Sequence, residues 1–380
     1  MRIALAFGLC LIAAAAAAGP RAKDLPKPET GVTPANVREN FRARMNENVV
    51  TIMAGSPSGT DLAIVQDIAS VLDDGDRLRV LPMVGKGPEQ NIKDVLFLRG
   101  VDMGVTQANL LKHFDKTGEL GSNLKGQIAY VAKLFNEELH ILVREDINDI
   151  KELSGKPVNF GPAGSGAEIT GRLIFEALGV ETQKLHINDA DAIEKLRRGE
   201  IAATIAVTGK PAPVLTSLKD TTGLKLLPVP YAMGVEDEYY PATLTHEDYP
   251  TLVPAGQSVD TVSVCAVLIS FNWSSDSVRY AKLAKFVDRF FANFDRFLET
   301  PRHPKWREVN FAATLEGWRR SPLAQKWIDR AQQSTDTASR SHFDAFLAQA
   351  GGERATPISE AERAELFRAF LQWSKEHQSN

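Results

Sequence analysis

Cysteine is almost missing from this chain: 380 residues hold two, Cys10 and Cys265. Cys10 sits in the apolar start of the sequence and Cys265 in a distant strand-like run, so no disulfide framework is available to hold the fold. Stability must come from a buried core, and a chain of this length can build one. Basic charge is not in excess either, with 44 Lys and Arg against 48 Asp and Glu. That balance offers no positive face for a phosphate backbone, and a nucleic-acid partner is not expected. After the first 18 residues no apolar stretch is long enough to span a bilayer. The seven histidines are scattered singly, without His-Glu-x-x-His or a cysteine cluster, so no metal site is expected.

Enzyme signatures are missing as well. Gly85-Lys86, Gly155-Lys156 and Gly209-Lys210 are not followed by Ser or Thr in a P-loop frame. The run Gly85 to Gln90 begins like a dinucleotide fingerprint and lacks the third glycine. No Gly-x-Ser-x-Gly elbow occurs. No cofactor is expected.

What is present begins with an export signal. Arg2 supplies the positive start, Ile3 to Ile12 the apolar core, and Ala13 to Ala18 a small-residue region for cleavage. Phe7-Gly8-Leu9 is a poor lipobox, so cleavage near Ala18 without a lipid anchor is expected. Loss of Arg2 takes the formal charge from −4 to −5. Roughly 360 remaining residues permit two lobes of ordinary domain size.

One short phrase is written twice: Ser58-Gly59-Thr60-Asp61 and, 107 residues later, Ser165-Gly166-Ala167-Glu168. Each copy follows a strand-like run, Val49–Ala54 or Val158–Phe160, and opens an amphipathic helical pattern. A helix start presents unpaired backbone N–H groups and the positive end of the helix dipole. Two such starts in separate α/β units can close on one small anion. The same residues also fit the capping box, and the two roles are compatible.

Strand and helix patterns alternate from Val49 onward, which argues for parallel sheets covered on both faces. Strands are expected at 78–84, 101–106, 128–135, 156–160, 184–187, 201–207 and 224–229, with helices between them. Tyr231 to Gly256 reads as irregular. A β-prone run at Thr261–Phe271 and a long helix after Val278 follow. One lobe interrupted by another needs two crossing segments, and Leu139–Arg144 and Val262–Ile269 are the candidates. Gln107 stands at the end of the 101–106 strand, and Thr208 and Gly209 after the 201–207 strand, where ligands collect in open α/β sheets. His140 reads as a hydrogen-bonded structural histidine. Tyr231, Tyr239 and Tyr240 either floor a cleft or cover an apolar edge. Asp61 and Glu168 read as complements to the helix dipoles.

Five pieces of sequence resemble the extracytoplasmic solute-binding subunits of TRAP transporters, in the TAXI branch. They are Gly55-Ser56, Gly85 with Glu89 and Asn91, Asp102 to Gln107, Leu139 to Arg144, and Gly161 to Glu168. The resemblance runs from about Val49 to His303-Pro304. It implies a type II periplasmic binding protein, with two α/β lobes, crossing strands and ligand between the lobes, handing a carboxylate or amino acid to a sodium-driven permease. The chain departs from the family at Pro57–Asp61, where glycines and a tyrosine pair are usual, and at Gly85-Lys86-Gly87-Pro88, where Gly-Gly-Ser is usual. A charged, helical tail with Trp318, Trp327 and Trp373 has no family counterpart.

The expected organisation is a signal peptide at 1–18, a linker at 19–48, lobe I at 49–138 and 263–337, lobe II at 139–262, and a helical extension at 338–380. The expected function is non-enzymatic capture of a small anionic organic solute for a TRAP-type permease, by a monomeric, periplasmic receptor. The alternatives are a ligand-sensing receptor for a signalling system and an exported hydrolase with Ser165 as nucleophile. Expected ligand-binding residues are Ser56, Ser58, Gly59, Thr60, Lys86, Gly87, Asn91, Gln107, Gly164, Ser165, Gly166, Thr208 and Gly209. Lys86 would add a full positive charge to the two helix starts, or else stand as a solvated turn lysine.

Overall fold

A computed structural model describes residues 34–334 apart from Ser58 and Asp76, together with Phe343 and Phe367. The expected signal peptide, the first part of the 19–48 segment, Ser58, Trp373 and nearly all of the 338–380 extension lie outside the described residues.

The chain divides into two units at Asn46. The N-terminal unit supplies α1 (Pro34–Glu47), a helix where a linker was expected. Pro34 occupies its first position, where a missing N–H costs nothing, and Ala35, Arg38, Glu39, Arg42, Ala43, Arg44 and Met45 all favour helix.

The second unit begins with β1 (Val49–Ala54), α2 (Thr60–Leu72), β2 (Arg79–Val84), α3 (Pro88–Phe97) and β3 (Met103–Gln107). Helices α4 (Ala108–Thr117) and α5 (Leu124–Gln127) lead into β4 (Ile128–Arg144). The grammar then repeats as β5 (Pro157–Asn159), α6 (Gly166–Ala177), β6 (Gln183–Leu185), α7 (Asp189–Arg197), β7 (Ala203–Thr208), α8 (Pro213–Thr216) and β8 (Leu224–Leu226). Strands β9 (Tyr240–Thr245) and β10 (Ser258–Phe271) and helix α9 (Val278–Ala292) follow.

The strands form one mixed sheet in the order β2-β1-β3-β10-β4-β7-β5-β6, with β8 on β4 and β9 on β10. Pairing is parallel within β2-β1-β3 and within β7-β5-β6, as the alternation predicts. It is antiparallel wherever β4 or β10 takes part, which corrects the all-parallel expectation. The cause is that the two crossing strands run against each other and each against the group it borders, β10 against β3 and β4 against β7. From Ile128 to Glu138 β4 pairs with β10, and from Glu138 to Val143 with β7, so one strand serves both groups.

Two further expectations change. The 128–135 strand and the 139–144 run are one 17-residue strand, because the polar Asn136-Glu137-Glu138 between them is held by partners described below. Within the segment read as irregular, Tyr240–Thr245 is a strand despite Pro241. It pairs with β10 alone, and an edge strand tolerates a proline.

Apolar clusters cover both faces of each parallel group. In the first, Ile52, Val65, Phe286, Phe290 and Trp306 pack on one face and Ile92, Leu110 and Phe114 on the other. In the second, Ile141, Phe160, Ile174 and Phe175 oppose Leu142, Leu196, Leu226 and Tyr249. Cys265 is buried and free. The first part of the supposed tail belongs to this core: Ala324 and Ile328 are buried, Trp318 and Trp327 pack against the clusters, and Tyr130 N donates to Arg319 O at 3.1 Å.

Candidate functional site

The loops that leave the carboxyl ends of β1, β2, β3, β5 and β7 converge on one cavity of about 570 Å³. That is the size range of small-molecule pockets, at the address where open α/β sheets bind ligands. Nine of the expected residues line it: Ser56, Gly59, Thr60, Lys86, Gly87, Gln107, Ser165, Gly166 and Thr208. Asn91, Gly164 and Gly209 are not among the lining residues. Asn91 is buried below the β2–α3 turn, where Nδ2 donates to Val105 O at 2.8 Å and a side chain at Gly85 would collide with Oδ1.

The twin helix starts, α2 and α6, both open on the cavity, yet they are capped differently. Ser165 Oγ accepts from Glu168 N at 3.2 Å, and Glu168 Oε2 accepts from Gly164 N at 3.1 Å. That is a capping arrangement with its return bond set one residue early. The α2 start has Gly59 as N-cap, which carries no side-chain cap, and the capping-box reading of Ser58 with Asp61 lies outside the described residues. Instead Thr60 N donates to Thr208 Oγ1 at 3.3 Å, across from the other parallel group.

More bonds cross in the same way. Thr60 Oγ1 lies 3.1 Å from Thr208 Oγ1 and donates to Gly209 O at 3.2 Å. Gln107 Oε1 accepts from Thr170 Oγ1 at 2.6 Å, and Asn109 Nδ2 donates to Thr170 Oγ1 and to Tyr239 Oη. The turns meet at backbone distance, since a Cβ on Gly87 would stand 2.6 Å from Gly164 O and its φ of +148° strains any other residue. Gly166 leaves room for the Gln107 amide, which a Cβ there would meet at 2.5 Å.

The lining charges are three carboxylates, Asp61, Glu137 and Asp189, and one lysine, Lys86. Lys86 is exposed at the rim. Asp61 is 5% exposed, and among the described residues its Oδ1 has no hydrogen-bond partner. Burial pushes its carboxyl up to about 7. Glu137 accepts from Gln107 Nε2 at 2.6 Å, so the glutamine is engaged at both ends of its amide. Burial holds the Glu137 carboxyl well above its usual range, and the charges of Asp61 and Glu138 add to this against the Gln107 bond. Behind the cavity Glu138 pairs with Lys305 at 2.6 Å, and Lys305 also holds Glu308 at 2.7 Å.

The other singled-out side chains stand elsewhere. His140 Nε2 lies 2.6 Å from Tyr249 Oη, inside the fold. Burial lowers the histidine to about 4, so it is neutral at ordinary pH. Tyr239 is buried, whereas Tyr231 and Tyr240 are exposed, and none of the three lines the cavity. Among the described residues no group of three or more His, Cys, Asp or Glu is placed to hold a metal ion, and no helix is long and apolar enough to cross a membrane.

Residues 52–314 match the NMT1-like family, a span that includes every lining residue. The chain belongs to the NMT1-like family. Solved structures that align with it include a protein from Bordetella bronchiseptica RB50, at 13% identity over 72% of this chain and 79% of that one, with a TM-score of 0.45. The periplasmic aliphatic sulphonate binding protein SsuA from Escherichia coli aligns at 14% identity over 87% and 88%, with a TM-score of 0.38. An amino acid ABC transporter substrate-binding protein from Streptococcus pneumoniae, bound to L-arginine, aligns at 13% over 71% and 98%, with a TM-score of 0.39. These are distant likenesses, from which nothing about this chain follows.

Within the family match, Glu137, Asn188 and Asp189 are not among the residues expected from the sequence, and Asp61 was expected to cap or complement the α2 start. A signal for Glu137 was present: adjacent Glu137-Glu138 inside a long apolar run is an expensive placement that needs a reason. Asn188 and Asp189 carry no such mark, since Asn188 caps α7 by accepting from Asp191 N at 3.0 Å.

Proposed function

We propose that this protein is an extracytoplasmic solute-binding protein that captures a small organic solute bearing an anionic group, carboxylate or amino-acid-like, for a TRAP-type secondary transporter of the TAXI branch. One observation carries the reading: two helix N-termini from the two parallel groups of the sheet face one 570 Å³ cavity at the carboxyl ends of the strands. Each offers backbone donors and a positive dipole end to an anion. Lys86 at the rim adds a full charge. Lobe I takes residues 49–138 and 263–337 and lobe II residues 139–262, with β4 and β10 as the hinge. The permease reads the closed form, because only a difference in affinity between states couples binding to transport. The periplasmic location follows from the leader at 1–18.

The hydrolase alternative loses support, because Ser165 Oγ serves as the cap of α6. A thermal-shift panel of carboxylates, amino acids and sulfonates tests the proposal. A true ligand at 100 times its Kd stabilises the fold by about 2.7 kcal/mol. Catalytic turnover of an ester substrate that Ser165→Ala abolishes would overturn it.

A further inference from the structure

The inner wall of the cavity is lined by carboxyl groups, which is a poor fit to an anion alone. Asp61 enters from the first turn of α2 and Glu137 from the middle of β4, both at most 5% exposed and both lining the cavity. Glu137 is aimed by Gln107, whose amide is clamped from the other side by Thr170. Among the described residues Asp61 Oδ1 finds no donor. A buried carboxylate oxygen without a donor costs free energy, and the fold has no evident use for it.

We infer that Asp61 and Glu137 form a subsite for a protonated amine, so the solute carries a cationic nitrogen as well as its anionic group. This rests on the solute-binding reading and narrows it to zwitterionic or amine-bearing solutes. The ammonium sits between the two carboxylates, supplies the donor that Asp61 Oδ1 lacks, and offsets the repulsion between the pair. The anionic end of the solute points toward the helix starts and Lys86. Other charges do not compete for this place: Lys305 is committed to Glu138 and Glu308, and Lys86 lies at the rim.

A different chemistry would use the same two residues in reverse. Were Asp61 and Glu137 protonated in the complex, their hydroxyls would donate to an anion, and binding would take up protons. The two predict opposite pH dependence. Facing the pair are Glu138 on β4, Lys305 and Glu308 at 304–308, Lys86 after β2 and Asp189 at the start of α7. None of these reverses the sign, because only Asp61 and Glu137 would meet the amine.

The experiment uses matched probes that differ by one amine: L-alanine and propionate, L-glutamate and glutarate, taurine and ethanesulfonate. Thermal shift screens them on the full mature chain, and calorimetry follows for those that bind. The expected result is binding of an amine-bearing member at least tenfold tighter than its des-amino partner, strengthening from pH 6 to pH 8. Asp61→Asn and Glu137→Gln should each lower that affinity tenfold or more, with melting temperatures showing that both variants fold. Equal or tighter binding of the des-amino member, weakening as pH rises and retained in Asp61→Asn, would overturn the amine subsite while leaving solute binding intact. A panel in which neither member of any pair binds counts against solute binding itself.

Discussion

Asp61 illustrates how a single residue is set against its surroundings. As a first-turn acid on α2 it complements the helix dipole, which favours the ionised form. Burial opposes this more strongly and lifts the carboxyl from 3.8 to about 7. Between those values the folded chain holds a proton that the unfolded chain has lost, so stability falls as pH rises from about 4 to about 7. Three pKa units correspond to a penalty on the order of 4 kcal/mol above pH 7. Asp61→Asn removes the charge and keeps the shape. In urea unfolding of the empty protein it should exceed the parent by about 1–3 kcal/mol at pH 8, with a smaller gain at pH 5. A loss of stability at pH 8 would show that the ionised carboxylate supports the fold rather than burdening it. Gly87 and Gly166 show the residue scale in another way: each is the one residue type that lets a neighbour approach, Gly164 O in one case and the Gln107 amide in the other.

At the scale of elements, β4 is the member on which most depends. Its apolar ends were plain in the sequence, and its continuity was not, because Asn136-Glu137-Glu138 looks like an interruption. Partners that are distant in sequence make it a strand. Gln107 satisfies Glu137, while Glu138 accepts from Lys305 Nζ at 2.6 Å and from Lys210 N at 2.8 Å. Lys305 is 2% exposed, so its loss would strand a buried carboxylate. Lys305→Met should cost about 3–5 kcal/mol in chemical denaturation, the usual penalty for breaking a buried pair. The double variant with Glu138→Gln should recover part of that cost. Equal stability of the single variant and the parent would show the pair to be energetically idle. Strand β9 makes the same point from the other side, since Pro241 argues against a strand until the edge of β10 is there to receive it.

For the molecule as a whole, the hydrogen bonds between the two parallel groups include Thr60 with Thr208 and Gly209, Gln107 and Asn109 with Thr170, and Asn109 with Tyr239, beside the Lys112–Glu238 ion pair and the packing of Ile169 against the first group's core. Hydrogen bonds of this kind are modest individually, about 1 kcal/mol each, and are easily exchanged for water. Only β4 and β10 run through both groups. That construction suits hinge closure. Small-angle scattering should show a smaller radius of gyration at saturating ligand than in the empty protein, and an unchanged radius would mark one rigid body.

The sequence by itself determined the α/β class, most elements, the twin helix starts and nine of the lining residues, because these follow from periodicity, capping chemistry and the ends of strands, all local in the chain. Only the tertiary structure decided the rest. It set the antiparallel course of β4 and β10 through both groups, the edge position of β9, the unequal capping of two near-identical phrases, and the meeting of Asp61 with Glu137. Each of these depends on which groups lie opposite one another in space, and burial and hydrogen-bond partners set by that meeting leave no periodic trace in the residues themselves.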